Sequence, residues 1–383
     1  MANLKKSKLI KFLISYKLTV FCLLWLMVLT FWGTLYQVEN GLYITKERMF
    51  NSWIFMAGGF FPVPGARIIL WLSLVNLTAV TVFRFRYTWK MSGMLLTHVG
   101  MLILIIGSGF TLHLAQESSL TLKENQGLNV SNDYHEWELA LWSQTQKGNV
   151  LDKEVSAMGI KTLANEQELR FDKLGYELTI QNYFSHCDAF TKKDVSSADK
   201  IINASGINTL TAKHPQPDLS KNIPGIKLSI RTSSQPDNPQ TVMLYGGERF
   251  PTSVFFGTKK VFLSLRRKRH VLPITVKLLD FKKVDYTGTQ MAKSFESHVE
   301  ITTPSMKRNV RISMNKPLRY GHYTFYQSSY SQSNGAETST LSVVRNSGRL
   351  LPYIASLVIS LGMLIHFCIV MIKFANRKRA QHV

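Results

Sequence analysis

Two histidines stand inside long apolar segments, where an imidazole is hardest to accommodate. His98 lies eight residues beyond Lys90, about 12 Å along a helix that rises 1.5 Å per residue. A polar ring at that depth in a bilayer is costly and marks a functional position by default. Neutral imidazole can ligate haem iron through one nitrogen while the other donates to a backbone carbonyl or a Ser/Thr hydroxyl. The structural role open to the same ring is a hydrogen bond between packed helices. His366, seven residues before Lys373, sits at similar depth and is either a second ligand, giving a bis-histidine site within one chain, or a packed helix histidine. His113, at the outer end of the block that holds His98, is placed to contact a ligand at the bilayer surface or to rest at the interface. Gly93, Gly100 and Gly107 recur every seven residues and share one stripe of a helix. At about 100° per residue His98 lies roughly opposite them, beside Met94, Met101 and Leu102. Small residues let helices approach closely. The glycine face is therefore expected to pack within the protein, leaving the histidine face for haem or a partner's helix.

Other chemistry is poorly served. Cys22, Cys187 and Cys368 lie far apart with no CxxC pair, so neither thiol–disulfide exchange nor a cysteine metal site is indicated. No GxSxG, HExxH or glycine-rich phosphate loop occurs. The run Arg266-Arg267-Lys268-Arg269-His270 reads as a solvated turn, or as a contact for anionic lipid or a partner.

The elements that must position these residues follow from hydropathy and charge. The formal charge is +22, from 46 Lys and Arg against 24 Asp and Glu. Between Gln116 and Arg349, 31 basic residues face 22 acidic ones, a balance of +9, and the remaining 15 against 2 leave +13 for the apolar part. That excess is topogenic, so no nucleic acid is needed to explain it. About 20 apolar residues cross a membrane as a helix, and 18–38, 91–116 and 350–372 satisfy this. The segment 68–83 is shorter, flanked by Arg67 and Arg84, which can snorkel. The first block is too long for a signal-peptide core and no small-residue cleavage site follows it, so it is expected to be a retained helix. Four spans put the N-terminal lysines, the connector Arg84–Lys90 and the tail Lys373–Arg379 on one side, which is cytoplasmic. The expected organisation is 1–116 with three transmembrane helices (18–38, 68–83, 91–116), 117–349 outside the cytoplasm, and 350–383 as a last helix with a short basic tail. Between the first two spans, Trp53, Phe55, Phe60 and Phe61 suggest an aromatic interfacial belt or the floor for a hydrophobic ligand.

In the polar middle, alternation at period two recurs at Tyr176, Leu178 and Ile180, at Ile226, Leu228 and Ile230, and at Val310, Ile312 and Met314. Such runs, separated by Gly, Pro, Asn and Ser, predict an antiparallel β-rich domain, a sandwich or open barrel. The stretch 189–240 is richer in Ser, Asn, Lys and Pro and is expected to be a surface excursion. The fold class is thus membrane α-helical, four transmembrane helices, plus a β-rich antiparallel extracytoplasmic domain.

Several segments together resemble the ResB (CcsB) family. They are Leu272-Pro273-Ile274-Thr275-Val276-Lys277-Leu278-Leu279-Asp280-Phe281, then Phe295-Glu296-Ser297-His298-Val299, and Met314-Asn315-Lys316-Pro317-Leu318-Arg319-Tyr320-Gly321 leading into Tyr323-Thr324-Phe325-Tyr326-Gln327-Ser328-Ser329-Tyr330. The last string is the most specific. Near the N-terminus, Leu96-Thr97-His98-Val99-Gly100 resembles the family's third span. The resemblance implies a bacterial inner-membrane subunit of the System II route of cytochrome c biogenesis. It implies a CcsA-like haem-handling membrane protein as partner, haem b as the transported substrate, and apocytochrome c as its acceptor. It also implies that His98 is an axial ligand whose counterpart comes from CcsA. The tryptophan-rich motif of CcsA is absent here, so the chain is expected to be a non-catalytic or co-catalytic subunit of a holocytochrome c synthase. Among the outer histidines only His322 lies in the most specific string, which makes it a further candidate. The alternatives are a membrane-anchored ligand-binding sensor, and an apocytochrome chaperone or scaffold that binds no haem itself.

Overall fold

The computed structural model describes residues 7–147, 150–160, 165–172, 174–191, 201–233, 235–257, 259–288, 292–333 and 336–381. They form two units. One comprises the described residues up to Gln116, Arg319–Thr324 and those from Val344 onward; the other comprises Glu117–Leu318 and Phe325–Val343.

The first unit is built on four helices: α1 (Tyr16–Asn40), α2 (Ala66–Ala79), α3 (Ser92–Leu114) and α4 (Leu351–Gln381). A π turn, Val80–Arg84, prolongs α2, and a 3-10 turn, Trp89–Met91, precedes α3. With these extensions all four are long and apolar enough to cross a membrane, so the marginal second segment is helical over its full length. The chain is a membrane protein.

Each helix pair is held by a different device. Asn76 on α2 is 2 % exposed; its Oδ1 accepts from Thr19 Oγ1 at 2.7 Å and its Nδ2 donates to the Leu13 carbonyl at 2.5 Å. Buried amides of this kind bind helices together in an apolar medium. On α3 the glycine stripe meets α4. A Cβ added at Gly93 would fall 2.3 Å from His366 N, one at Gly100 2.6 Å from Ile359 Cγ1, and one at Gly107 2.8 Å from Leu351 Cβ. Gly362 returns the contact, its added Cβ falling 2.6 Å from Thr97 N. The stripe thus packs inside the chain, as its spacing predicts.

Between α1 and α2 the chain makes a helical turn (Leu42–Thr45), a π turn (Lys46–Phe50) and a small hairpin, Ile54–Ala57 with Phe61–Pro64. The hairpin turns on Gly58 and Gly59, both at positive φ, which only glycine adopts without strain. Met49 and Phe55 pack on Leu29 of α1 and Ala66 of α2, and Trp25 Nε1 donates to the Pro64 carbonyl at 3.0 Å. The aromatic segment between the first two spans is therefore folded onto α1, with Phe55 buried and Trp53, Phe60 and Phe61 exposed.

The second unit is β-rich and antiparallel. In the larger sheet the strand order runs Lys307–Ser313, Ala292–Thr302, Lys259–Asp285, Gly127–Lys147, Gln116–Lys123, Ala336–Arg345, Tyr323–Ser333 and Leu318–Tyr320. Thr252–Phe256 and Val150–Gly159 pair onto its long central strands. A four-stranded sheet has the order Gln235–Tyr245, Gly225–Thr232, Tyr176–Phe184, Glu168–Phe171. Leu139, Leu178, Ile180, Ile226, Leu228 and Leu263 fill the core between them. One expectation is corrected here. The excursion expected over 189–240 is cut short, because residues from Gly225 onward are core strands whose alternating Ile226, Leu228 and Ile230 are fully buried. Part of that stretch, 192–200, lies outside the described residues.

Candidate functional site

His98 sits on the second turn of α3, half-buried, with its ring edge-on to Phe85 at 5.2 Å between centroids. Its Nδ1 lies 2.8 Å from the carbonyl of Met94, one helical turn earlier. A carbonyl only accepts, so Nδ1 carries the proton and the lone pair is on Nε2. Nε2 has no partner among the described residues. Metal-ligating histidines are held this way, the distal nitrogen fixed by a backbone carbonyl and the other left for the metal. The connector residue Phe85 shields one side of the ring, so the histidine face is partly covered by this chain.

His366 is on α4, where its backbone lies against Gly93. Its Nδ1 is buried without a hydrogen-bond partner. His98 is turned roughly 140–160° around α3 from the glycines that face α4. His98 and His366 thus belong to different sides of the helix pair. A concavity of about 460 Å³ at the start of α3, lined by Trp89, Lys90, Ser92, Leu96, Ile365 and Ile369, lies on that α4 side and includes neither histidine.

At the other end of α3 the segment carrying His322 is tied through Asn346 to Thr111, two residues before His113. The Asn346 backbone N–H donates to the His322 carbonyl at 2.9 Å, and the Asn346 side chain donates to Thr111 Oγ1 at 3.4 Å. The turn holding His322 requires Gly321 at positive φ. His113 Nε2 lies 3.5 Å from Arg67 Nη2. Fifteen residues, about 22 Å of helix, separate His113 from His98. The structure therefore places His98 and His366 along α3 and α4, and His113 and the segment of His322 near the end of α3 remote from Lys90. Among the described residues there is no group of three or more His, Cys, Asp and Glu able to hold a metal ion.

The basic run in the second unit is neither a turn nor a free patch. Arg266–His270 lies inside the 27-residue strand Lys259–Asp285 and faces an acidic stretch of the neighbouring strand. Arg266 bonds Glu138 at 2.8 Å, Lys268 bonds Glu136 at 2.8 Å, and His270 Nε2 lies 3.1 Å from Asp133. Arg267 stacks over Trp137 at 4.1 Å and donates to the Ser220 carbonyl. Burial depresses the pKa values of Arg267 and Arg269, for Arg269 with Arg266 adding to the effect. Carboxylates some 130 residues upstream in the chain thus pair with Arg266, Lys268 and His270, so that part of the run's charge is structural. The Cys187 thiol is also structural: burial pushes its pKa up to about 11.

Four helices long and apolar enough to cross a membrane, with His98 on one of them, and an antiparallel β-rich unit define a membrane-anchored protein. Residues 76–358 match the ResB-like family, and the chain belongs to it. The chain is also similar to the protein NrfI of Wolinella succinogenes, 21 % identical over 300 residues. That match covers 76 % of this chain and 29 % of NrfI.

Proposed function

We propose that the chain serves cytochrome c biogenesis as the ResB-type subunit of an inner-membrane assembly that moves haem b outward and presents it to apocytochrome c. Membership of the ResB-like family and the likeness to NrfI support the pathway. The observation that carries the haem reading is the hydrogen-bonding state of His98: Nδ1 is committed to Met94, and Nε2 is left with its lone pair and no partner. Haem is the travelling substrate. His98 supplies one axial nitrogen at mid-depth, and Phe85 restricts the ring's rotation and keeps water from that side. A CcsA-like partner supplies the second axial ligand and the thioether chemistry, while this chain contributes position. Fixing reactants in register can lower a barrier by several kcal/mol. The N- and C-termini face the cytoplasm and the β-rich unit faces outward.

The test is the visible spectrum of the chain co-purified with its CcsA-like partner, as wild type, His98→Ala and His366→Ala. A low-spin haem signal lost in His98→Ala, restored by added imidazole and retained in His366→Ala, is the expected result. Wild-type haem content in His98→Ala would overturn the ligand role and leave a scaffold for the apocytochrome.

A further inference from the structure

Arg67 carries a positive charge that the described chain does not answer. It is the second residue of α2, and its guanidinium lies over the Trp53 ring at 4.9 Å. Its Nη2 is 3.5 Å from His113 Nε2, and its Nε is buried with no hydrogen-bond partner. Among the described residues no carboxylate lies within ion-pair distance of it. Neighbouring arginines show how the same fold treats its other cations. Arg48 donates to the Tyr36 hydroxyl at 2.5 Å and the Met56 carbonyl at 2.6 Å. Arg84, at the opposite end of the same span, donates to the Ile14 carbonyl at 3.1 Å and stacks on Tyr16 at 3.6 Å. Glu47, the acid nearest in sequence to Arg48, accepts from Asn51. A desolvated guanidinium N–H without an acceptor is a deficit that native structures rarely leave uncompensated.

We propose that Arg67, with His113 and Trp53 beside it, binds the carboxylate or phosphate group of an amphiphilic ligand. The guanidinium fork matches two anionic oxygens. The half-exposed Trp53 indole offers an apolar surface for the body of the same molecule. Its place beside the last turn of α3 puts the site at the end of the bundle remote from Lys90. Two amphiphiles carry such a group there: haem, through its propionates, and an anionic phospholipid, through its headgroup. The haem source rests on the function proposed above; the lipid source does not.

The experiment uses the full chain in lipid nanodiscs, as wild type, Arg67→Gln, Arg67→Lys and His98→Ala. One arm titrates haem and haem dimethyl ester, in which the propionates are masked. The other arm measures by native mass spectrometry the retention of phosphatidylglycerol over phosphatidylcholine. The haem source predicts that Arg67→Gln weakens haem about tenfold or more, the loss of a charge-assisted bond, with ester affinity unchanged. The lipid source predicts that Arg67→Gln abolishes the phosphatidylglycerol preference. In either case Arg67→Lys recovers part of the effect, having the charge without the fork. The proposal is overturned if Arg67→Gln alters neither arm, or if it weakens haem and ester equally with lipid preference intact, which would report damage to an apolar contact. His98→Ala separates the two readings: haem binding unaffected by His98→Ala but weakened by Arg67→Gln refutes the ligand role of His98 alone.

Discussion

Replacing Gly93 by Ala tests the α3–α4 contact directly. The new methyl would lie 2.3 Å from His366 N, 2.6 Å from the Gly362 carbonyl oxygen and 2.7 Å from His366 Cα. All three obstructing atoms are main chain, so no rotamer change relieves them. Ordinary contact begins near 3.4 Å, so α4 has to retreat by about 1 Å, enough to forfeit a quarter to a half of the dispersion energy of contacts alongside. Overpacking of this kind costs about 1–3 kcal/mol, and the better helix propensity of Ala offsets up to about 1 kcal/mol of it. The expected net loss is about 1–2 kcal/mol. Gly109 is the internal control, since a Cβ there meets nothing within 4 Å and Gly109→Ala has only the propensity gain. The assay is SDS denaturation of the purified chain in mild detergent, followed by circular dichroism. Gly93→Ala should unfold at distinctly lower SDS than wild type, and Gly109→Ala at the same or higher. Equal midpoints for the two alanine variants would refute the close helix contact.

Two further outcomes concern the β-rich unit. Glu138→Gln leaves Arg266 unpaired where the side chains are 9 % and 15 % exposed, and should cost about 3–5 kcal/mol. Lys268→Met, whose pair is 42 % and 31 % exposed, should cost less than about 1 kcal/mol; urea midpoints that shift alike would sink this ranking. Cys187, fully buried and with its thiol near pKa 11, should resist iodoacetamide at pH 8, where about one thiol in a thousand is ionised. Peptide mass spectrometry should find it alkylated only after denaturation, and labelling of the native chain would contradict its burial.

The features legible in the sequence were those with a local period. Gly93, Gly100 and Gly107 announce a helix face because seven residues make nearly two turns, and Leu178, Ile180, Ile226 and Leu228 announce strands because their spacing is two. Basic flanks were enough to count the spans. What escaped depends on partners distant in the chain. Arg266–His270 reads as a surface run until Asp133, Glu136 and Glu138 are brought alongside by strand pairing. The hairpin within Trp53–Phe61 was not legible, because only Gly58 and Gly59 mark it and its packing surface is on α1. In the candidate site, the place of His98 on the third helix was legible and its bond to Met94 matched the expected kind of partner. The meeting of Arg67 with His113 was not, since the snorkelling that accounts for Arg67 in sequence names no neighbour.

The order of strands in the large sheet also sets a timetable for biogenesis. Gln116–Lys123, the first strand made, lies between Gly127–Lys147 and Ala336–Arg345, the last strand made. Gly127–Lys147 in turn pairs with the long strand ending at Asp285. The flank toward Gly127–Lys147 can close at once, but the flank toward Ala336–Arg345 cannot close until more than 200 further residues have been synthesised. Contacts that close so large a loop form slowly, and unpaired strand edges are prone to aggregate meanwhile. The glycine seam of α3 likewise waits for α4, which follows that strand in the chain. A chain stopped before Ala336 would therefore lack both the strand that closes this flank and the helix that receives the glycine seam.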